Sequence, residues 1–271
     1  MEYSAIGVAA ALGSAASWAI GAILLKKIGD TLSSLAMTLV KGAISIVFLG
    51  IGVLIIGYTS MSPSTLALLV ISGLLGIAIS DSCFFEALKD LGPVALVVLM
   101  MLGQIITVVL AVAFLGERPP LLAWIGIGMI LIGIMIVISG NMEPGRQSIS
   151  TRGILFGLGS VISMSISLII AKKALVDTDS MQATFVRMLA GTVGVFIFGL
   201  STRRIGAWVN PFRDVSVALR FTGTILIVTF GGFWLTMVAF KHSDVVVANT
   251  LISTEPLFVL PLAYLFLKEK I

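Results

Sequence analysis

Long apolar stretches dominate this sequence, and each has the length of a helix that crosses a membrane. The hydrocarbon core of a bilayer is about 30 Å thick, so a helix needs about 20 apolar residues to span it. Nine stretches of this kind occur, and we number them as spans one to nine. They cover residues 4–25, 33–57, 65–86, 94–115, 121–139, 153–171, 181–201, 217–240 and 246–267.

The composition favours membrane helices over the strands of a membrane barrel. Hydrophobic residues make up 58% of the 271 residues and charged residues 11%, whereas about 25% of the residues in soluble domains are charged. Barrel strands alternate apolar and polar residues over about 10 positions. Residues 125–132 instead form an unbroken apolar run that continues on both sides. The sequence therefore predicts an all-α integral membrane protein.

The two halves of the sequence resemble each other. A shift of 146 residues superposes Lys41 on Arg187, so a basic residue recurs at the same place inside a membrane helix. The same shift pairs Gly7 with Gly153, Ser14 with Ser160, Lys26 with Lys172 and Thr38 with Thr184. Further along, a shift of 152 pairs Phe114-Leu115 and Glu117 with Phe266-Leu267 and Glu269. Self-similarity of this kind indicates an internal repeat.

The repeat predicts two bundles of opposite orientation. The second copy begins after five spans, an odd number, so the copies enter the membrane from opposite sides. We expect a 5+5 inverted-repeat bundle, with a first repeat at 1–140, a linker at 141–152 and a second repeat at 153–271. The second repeat ends at Lys268-Glu269-Lys270-Ile271 after four spans, so a tenth helix is expected and is missing from this sequence.

Inverted repeats are typical of transporters that open alternately to the two sides of the membrane. A duplication that only makes a stable bundle is the alternative, and so is a channel. An enzyme is not expected, because zinc-protease, nucleophile-elbow and Walker motifs are lacking. We expect no catalytic residues, no metal site and no cofactor. The net charge of +4 fits basic cytoplasmic loops, so nucleic acid is not an expected partner.

The loop charges predict an orientation. The side that holds the first loop carries eleven Lys and Arg residues, and the other side carries four. Cytoplasmic loops are enriched in these residues. The count therefore places the N-terminus outside the cell.

The residues quoted so far resemble the EamA repeats of the drug/metabolite transporter superfamily. The motif Phe114-Leu115-Gly116-Glu117-Arg118 is similar to the end of the fourth helix of an EamA repeat, and residues 266–270 look like its second copy. The resemblance covers essentially the whole chain. It implies ten helices, a central cavity lined by helices one, three, four, six, eight and nine, and an N-terminus inside the cell, against the charge count. The family's usual proline in helix four is replaced here by Gly103-Gln104.

Two acids inside the spans are the first candidates for substrate or proton binding. Asp81 lies in span three and Glu255 in span nine, just before Pro256. Charges in a bilayer are energetically costly and usually face protein or water. Proline cannot donate a backbone hydrogen bond, so a carbonyl beside Glu255 is left free. The two acids could exchange protons for substrate, or form static buried pairs with Lys41, Arg187 or a hydroxyl.

Six further residues complete the candidate site. Lys41 and Arg187 could bind substrate or extend to the membrane surface as anchors. Trp18 and Trp234 could form aromatic walls or pack between helices. Gln104 and Asn249 could bind a ligand or join helices, because an amide in hydrocarbon needs partners.

The sequence therefore predicts a multi-pass transporter of the cell membrane that exports a small metabolite by alternating access. Both signs of charge near the core favour an amino-acid-like substrate, with proton coupling through the acids. A multidrug or cation exporter and a sugar-phosphate or nucleotide exchanger are the alternatives within the fold. The lipid bilayer, the substrate and protons are the expected partners, and a homodimer stays open.

Overall fold

The computed structural model describes residues 4–29, 32–119 and 150–267, together with 121, 124–126, 128, 129 and 132. Every regular element in these residues is a helix. Seven of these helical stretches are long and apolar enough to cross a membrane. The prediction of an all-α membrane bundle is confirmed. Most of span five, most of the predicted linker and Glu269 lie outside the described residues.

The first repeat contains four of the long helices. They are α1 (Ala5–Gly29), α2 (Ser34–Ile56), α3 (Pro63–Gly73), which continues through a π-helical segment (Leu74–Ser80), and α4 (Asp81–Leu115). Hydroxyls fix the starts of two of them: Ser33 accepts from the Ala36 amide and Ser62 from the Thr65 amide. α4 bends at Gly92, which has a φ of 76°, and this bend separates spans three and four.

The second repeat has the same order with one addition. Its elements are α5 (Thr151–Ala174), α6 (Ser180–Ser201), the short α7 (Ile205–Val209) with a 3-10 turn (Asn210–Arg213), α8 (Val215–Leu226), a second π-helical segment (Ile227–Trp234), α9 (Leu235–His242), α10 (Val245–Ile252) and α11 (Glu255–Leu267). α7 and the 3-10 turn lie where the repeat alignment gains six residues.

Span nine is divided, although the sequence predicts one apolar stretch over 246–267. α10 ends at Ile252, a turn follows, and α11 begins at Glu255. The cause is Pro256, which has no amide hydrogen for the carbonyl four residues earlier. The amides and hydroxyls of Ser253 and Thr254 donate to the carbonyls of Asn249 and Leu251, which closes the end of α10.

The two π-helical segments lie at equivalent places in the two repeats. The shift of 152 carries Leu74–Ser80 onto residues 226–232, and the second π segment covers Ile227–Trp234. Each is held by a serine on the first helix of the other repeat. Ser80 donates to the carbonyl of Ser160 in α5, and Ser14 in α1 donates to the carbonyl of Gly232. Ser14 and Ser160 are themselves partners in the repeat alignment.

Matching lysine contacts also join the loops at the two ends of the bundle. Lys89 donates to the carbonyl of Leu32 at 3.0 Å, and Lys241 donates to the carbonyl of Thr178 at 2.6 Å. Lys241 is the repeat partner of Lys89, and Thr178 is the repeat partner of Leu32. The two repeats therefore share their contacts as well as their helix order.

Candidate functional site

A cavity lies between the two repeats. It contains about 870 Å³ of space, counted together with its open mouth. Both repeats contribute to its wall, through α1, α4, α5, α6, α9, α10, α11 and both π segments. The wall includes six of the eight predicted site residues, namely Trp18, Asp81, Gln104, Arg187, Asn249 and Glu255. Lys41 and Trp234 are absent from it.

Lys41 and Asp81 form a buried salt bridge at the first-repeat side of the cavity. Their side chains are 2% and 6% exposed. The Lys41 ammonium also lies 4.4 Å from the ring centroid of Phe233, a distance at which an aromatic face attracts a cation. Lys41 is too deeply buried to be a surface anchor. Lys41 is absent from the cavity wall and is the counter-ion of Asp81, so a direct role of Lys41 in substrate binding stays a prediction.

Arg187 is buried without a carboxylate partner. Its guanidinium donates to the hydroxyls of Ser72 at 2.8 Å and Ser167 at 3.0 Å, and contacts the Met237 sulfur at 3.1 Å. No carboxylate lies within salt-bridge distance of it in the part of the chain that the structure describes. Arg187 is 2% exposed, so the anchoring alternative is wrong for it as well. Arg187 therefore faces the cavity with no salt-bridge partner among the described residues, and Asp81, the acid near enough to interact with it electrostatically, is already paired with Lys41.

Glu255 is the opposite case, a buried carboxylate without a cation. It is 9% exposed, lines the cavity and begins α11. Among the described residues its side chain makes no hydrogen bond or ion pair. The N-terminal end of a helix stabilises a nearby negative charge to a small extent. The greater part of the cost of burial is left for a ligand or a proton to offset.

The two predicted amides have different surroundings. Asn249 donates from its side chain to the backbone carbonyl of Gln104 at 2.7 Å, so it joins α10 to α4. Gln104 is half-buried on the cavity wall, and no side-chain hydrogen bond joins it to another described residue. Asn249 therefore holds the backbone of Gln104 in place, while the Gln104 side-chain amide has no hydrogen-bond partner among the described residues.

Aromatic rings line one part of the wall, and one predicted ring is not among them. Trp18 packs edge to face on Phe233, with centroids 4.7 Å apart. Trp234 instead contacts Phe230 at 6.2 Å and does not line the cavity. Neighbouring residues on a helix point about 100° apart, following from 3.6 residues per turn. Phe233 therefore occupies the wall position that the sequence reasoning gave to Trp234.

Sequence reasoning missed several wall residues. Phe84, Phe233 and Phe240 add aromatic surface, and Ser165 and Thr107 add hydroxyls that bond to each other at 3.0 Å. Phe233 carried a signal, because it is the repeat partner of Asp81. The hydroxyls carried none, since Ser and Thr occur on every side of these spans.

A known protein family and a solved structure resemble this chain. The profile described as the EamA-like transporter family matches residues 5–139 and 151–271. The chain belongs to this family. A solved structure titled "Crystal structure of protein" is similar over 94% of this chain and 86% of its own, with 16% sequence identity and a TM-score of 0.65, which shows a shared fold. A search of curated proteins gave no match.

Family membership confirms the resemblance to the drug/metabolite transporters, with two EamA repeats in a multi-pass membrane protein. The first copy of the repeat motif contains Glu117, which contacts the other repeat. Glu117 accepts hydrogen bonds from the amides of Val245 at 2.8 Å and Val246 at 2.9 Å. These amides begin α10, so Glu117 caps a cavity helix of the other EamA repeat.

Proposed function

We propose that this EamA-like protein is a secondary transporter of the cell membrane that exports a small zwitterion, an amino acid with an apolar side chain, in exchange for protons. One observation carries the proposal. Arg187 and Glu255 are buried on the wall of one cavity, carry charges of opposite sign, and form no salt bridge with a described residue.

The charges of the cavity favour a substrate with both an anionic and a cationic group. Lys41 and Asp81 neutralise each other. A buried charge without a partner is energetically costly by several kcal/mol. The carboxylate of an amino acid offsets the charge of Arg187, and its ammonium group offsets that of Glu255. The rings of Trp18 and Phe233 supply apolar surface for the side chain.

Glu255 also supplies a route for proton coupling. A carboxyl group that meets no cation among the described residues can be neutralised by a proton or by the ammonium group of the substrate. The two occupants compete for the same oxygens. Proton binding from outside therefore promotes release of the substrate, and the exchange of one for the other drives export.

The paired π segments support alternating access. π-helical turns occur mostly at functional sites and contain one residue more than the helix around them. The first segment ends just before Asp81, and the second segment includes Phe233. A change in either segment therefore moves a residue of the cavity wall. Inverted repeats allow the two segments to exchange conformations as the protein opens to one side and then the other.

The alternatives fit the cavity less well. A cation or multidrug exporter gains from Glu255, but Arg187 repels a purely cationic substrate. A sugar phosphate or nucleotide carries about two negative charges per phosphate group. Arg187 is the one basic residue named on the wall without an acid, and it cannot balance that charge. A channel would carry flux that does not saturate.

Counterflow into proteoliposomes tests the proposal. L-Leucine and L-phenylalanine are the labelled probes, after a thermal-shift screen of amino acids, nucleotides, sugar phosphates and cationic dyes. The matched competitors are the amide, which lacks the carboxylate, and the N-acetyl derivative, which lacks the ammonium group. We expect saturable counterflow and competition weaker by about 10-fold or more for both derivatives, since a hydrogen bond to a charged group contributes about 1.5–3 kcal/mol. Equal competition by the amide would favour the cation exporter, and flux without saturation would favour the channel.

A further inference from the structure

The segment between α6 and α8 has no counterpart of equal length in the first repeat. It covers residues 202–214 and includes α7 and the 3-10 turn. The shift between the repeats grows from 146 to 152 across this part of the chain, so six residues have been added. Because α6 and α8 both belong to membrane spans, the segment lies at the border of the bilayer.

Four arginines of this region are exposed and unpaired. They are Arg203, Arg204, Arg213 and Arg220. None of their guanidinium groups makes a hydrogen bond or ion pair to another residue that the structure describes. Asp214 is the one acid between residues 202 and 220, and its carboxylate accepts from the amides of Ser216 and Val217 at the start of α8. The positive charge of the segment is therefore not balanced locally.

A buried tryptophan fixes the segment against the bundle. Trp208 is 5% exposed and packs in a cluster with Leu39 of α2 and Val195 of α6. Val215 and Leu219, at the start of α8, are 69% and 68% exposed. Apolar side chains beside long basic ones are typical of elements at the border of a bilayer, where arginines extend to the headgroups.

Arg203 lies at the end of α6 in a backbone conformation that glycine usually adopts. Arg203 has a φ of 55°, the left-handed conformation that ends many helices. The Arg204 amide donates to the carbonyl of Gly199, and the Arg203 amide donates to that of Leu200, which completes a Schellman motif at the end of α6. Glycine is the favoured residue in this conformation, because a side chain strains it. Arg203→Gly therefore removes the charge without straining the end of α6.

We propose that the segment around Arg203, Arg204, Arg213 and Arg220 binds the phosphate groups of anionic phospholipids. Guanidinium groups bind phosphate oxygens in pairs of hydrogen bonds. Clusters of basic residues next to a membrane helix bind anionic lipids, and each residue near the surface strengthens binding by about fivefold. Trp208 holds the cluster at the headgroup level, while Val215 and Leu219 face the acyl chains.

Lipid binding to the purified full chain tests this proposal. The protein in neutral detergent is titrated with phosphatidylglycerol, with phosphatidylcholine and with inorganic phosphate, and bound lipid is counted by native mass spectrometry beside thermal unfolding. We expect phosphatidylglycerol to bind most tightly. Arg203→Gly should weaken that binding by about fivefold, while the lipid-free protein is as stable as the wild type or more stable. Lys173→Gln, which removes an exposed charge at the other end of the bundle, should leave the binding unchanged.

Each other result overturns the proposal. Wild-type binding by both Arg203→Gly and Arg204→Gln would show that the arginines do not hold the lipid. An equal loss in Lys173→Gln would show an effect of total charge. Equal stabilisation by phosphatidylcholine would show apolar contact alone, and equal stabilisation by inorganic phosphate would show a soluble anion. If Arg203→Gly does not fold, Arg204→Gln decides the question, because this substitution leaves the left-handed residue in place.

Discussion

The two halves of the cavity wall differ in how their charges are paired. Asp81 lies on the wall and pairs with Lys41 behind it, whereas Arg187 and Glu255 form no salt bridge with a described residue. Lys41 and Arg187 occupy the same place in the two repeats. Lys41 has a carboxylate partner, whereas Arg187 has the hydroxyls of Ser72 and Ser167. The repeat partners of Asp81 and Glu255 are Phe233 and Gly103, so neither acid has been copied.

We infer from this difference that the Lys41–Asp81 pair belongs to the protein framework, and that Arg187 and Glu255 are available to a ligand. A salt-bridged pair can hold helices in place through every step of transport. An unpaired charge must find a partner in each state of the cavity, and substrate and protons are the partners available there. In our proposal, the duplicated frame provides the motion, and the acids that break the symmetry bind the substrate and the protons.

The largest expected effect separates the two acids by stability. Asp81→Asn leaves the Lys41 ammonium buried without a partner, which should lower the free energy of unfolding by about 3–5 kcal/mol. Glu255→Gln removes a charge that has no partner, so the same quantity should be unchanged or higher. Equilibrium unfolding by SDS in mixed micelles measures both. The double variant Lys41→Met, Asp81→Asn should recover most of the lost free energy of unfolding. Equal losses in Asp81→Asn and Glu255→Gln would contradict the proposed difference between the paired and the unpaired acid.

The second effect concerns substrate affinity at Arg187. Arg187→Gln removes the charge that we assign to the substrate carboxylate, so the KM for the zwitterion should rise by about 10- to 100-fold, as expected for a charged hydrogen bond. The KM for the amide, which has no carboxylate, should change little. Counterflow with both probes gives the two values. A parallel rise for the amide would mean that Arg187 only supports the structure through Ser72 and Ser167.

The smallest effect distinguishes the cavity wall from the surrounding packing. Gln104→Ala removes an amide that faces the cavity, and KM should rise by about 2- to 10-fold, the effect of one neutral hydrogen bond. Trp234→Phe is the control, because Trp234 lies off the wall and should leave KM unchanged. Half-saturation concentrations from the same counterflow assay are compared. A larger effect of Trp234→Phe than of Gln104→Ala would contradict the assigned wall.

Much of this fold follows from the sequence because hydrocarbon imposes simple demands. Span length and the absence of strand alternation predict the helices, and the recurrence of Lys41 at Arg187 predicts the repeats. Pro256 predicts the free carbonyl, though not the full break between α10 and α11. The π segments left no pattern to read, because one extra residue in a uniformly apolar helix does not change its hydropathy.

The site was harder to predict for the same reason. A span that is apolar on all sides does not show which face meets the cavity. The sequence therefore predicts Trp234 as a wall residue, whereas the structure has Phe233 there. The partner of Asp81 was one of three possibilities in the sequence, and only packing places Lys41 against it. The sequence around Arg187 does not show that its guanidinium group donates to hydroxyls and forms no salt bridge with a described acid.

Proton coupling through Glu255 tests the central claim most directly. Wild-type protein, Glu255→Gln and Asp81→Asn with Lys41→Met are placed in proteoliposomes, and accumulation of the labelled amino acid driven by a pH gradient is compared with counterflow at equal pH. The account predicts that Glu255→Gln keeps counterflow but loses accumulation against a gradient, while the double variant keeps both. Full pH-driven accumulation by Glu255→Gln would contradict the account.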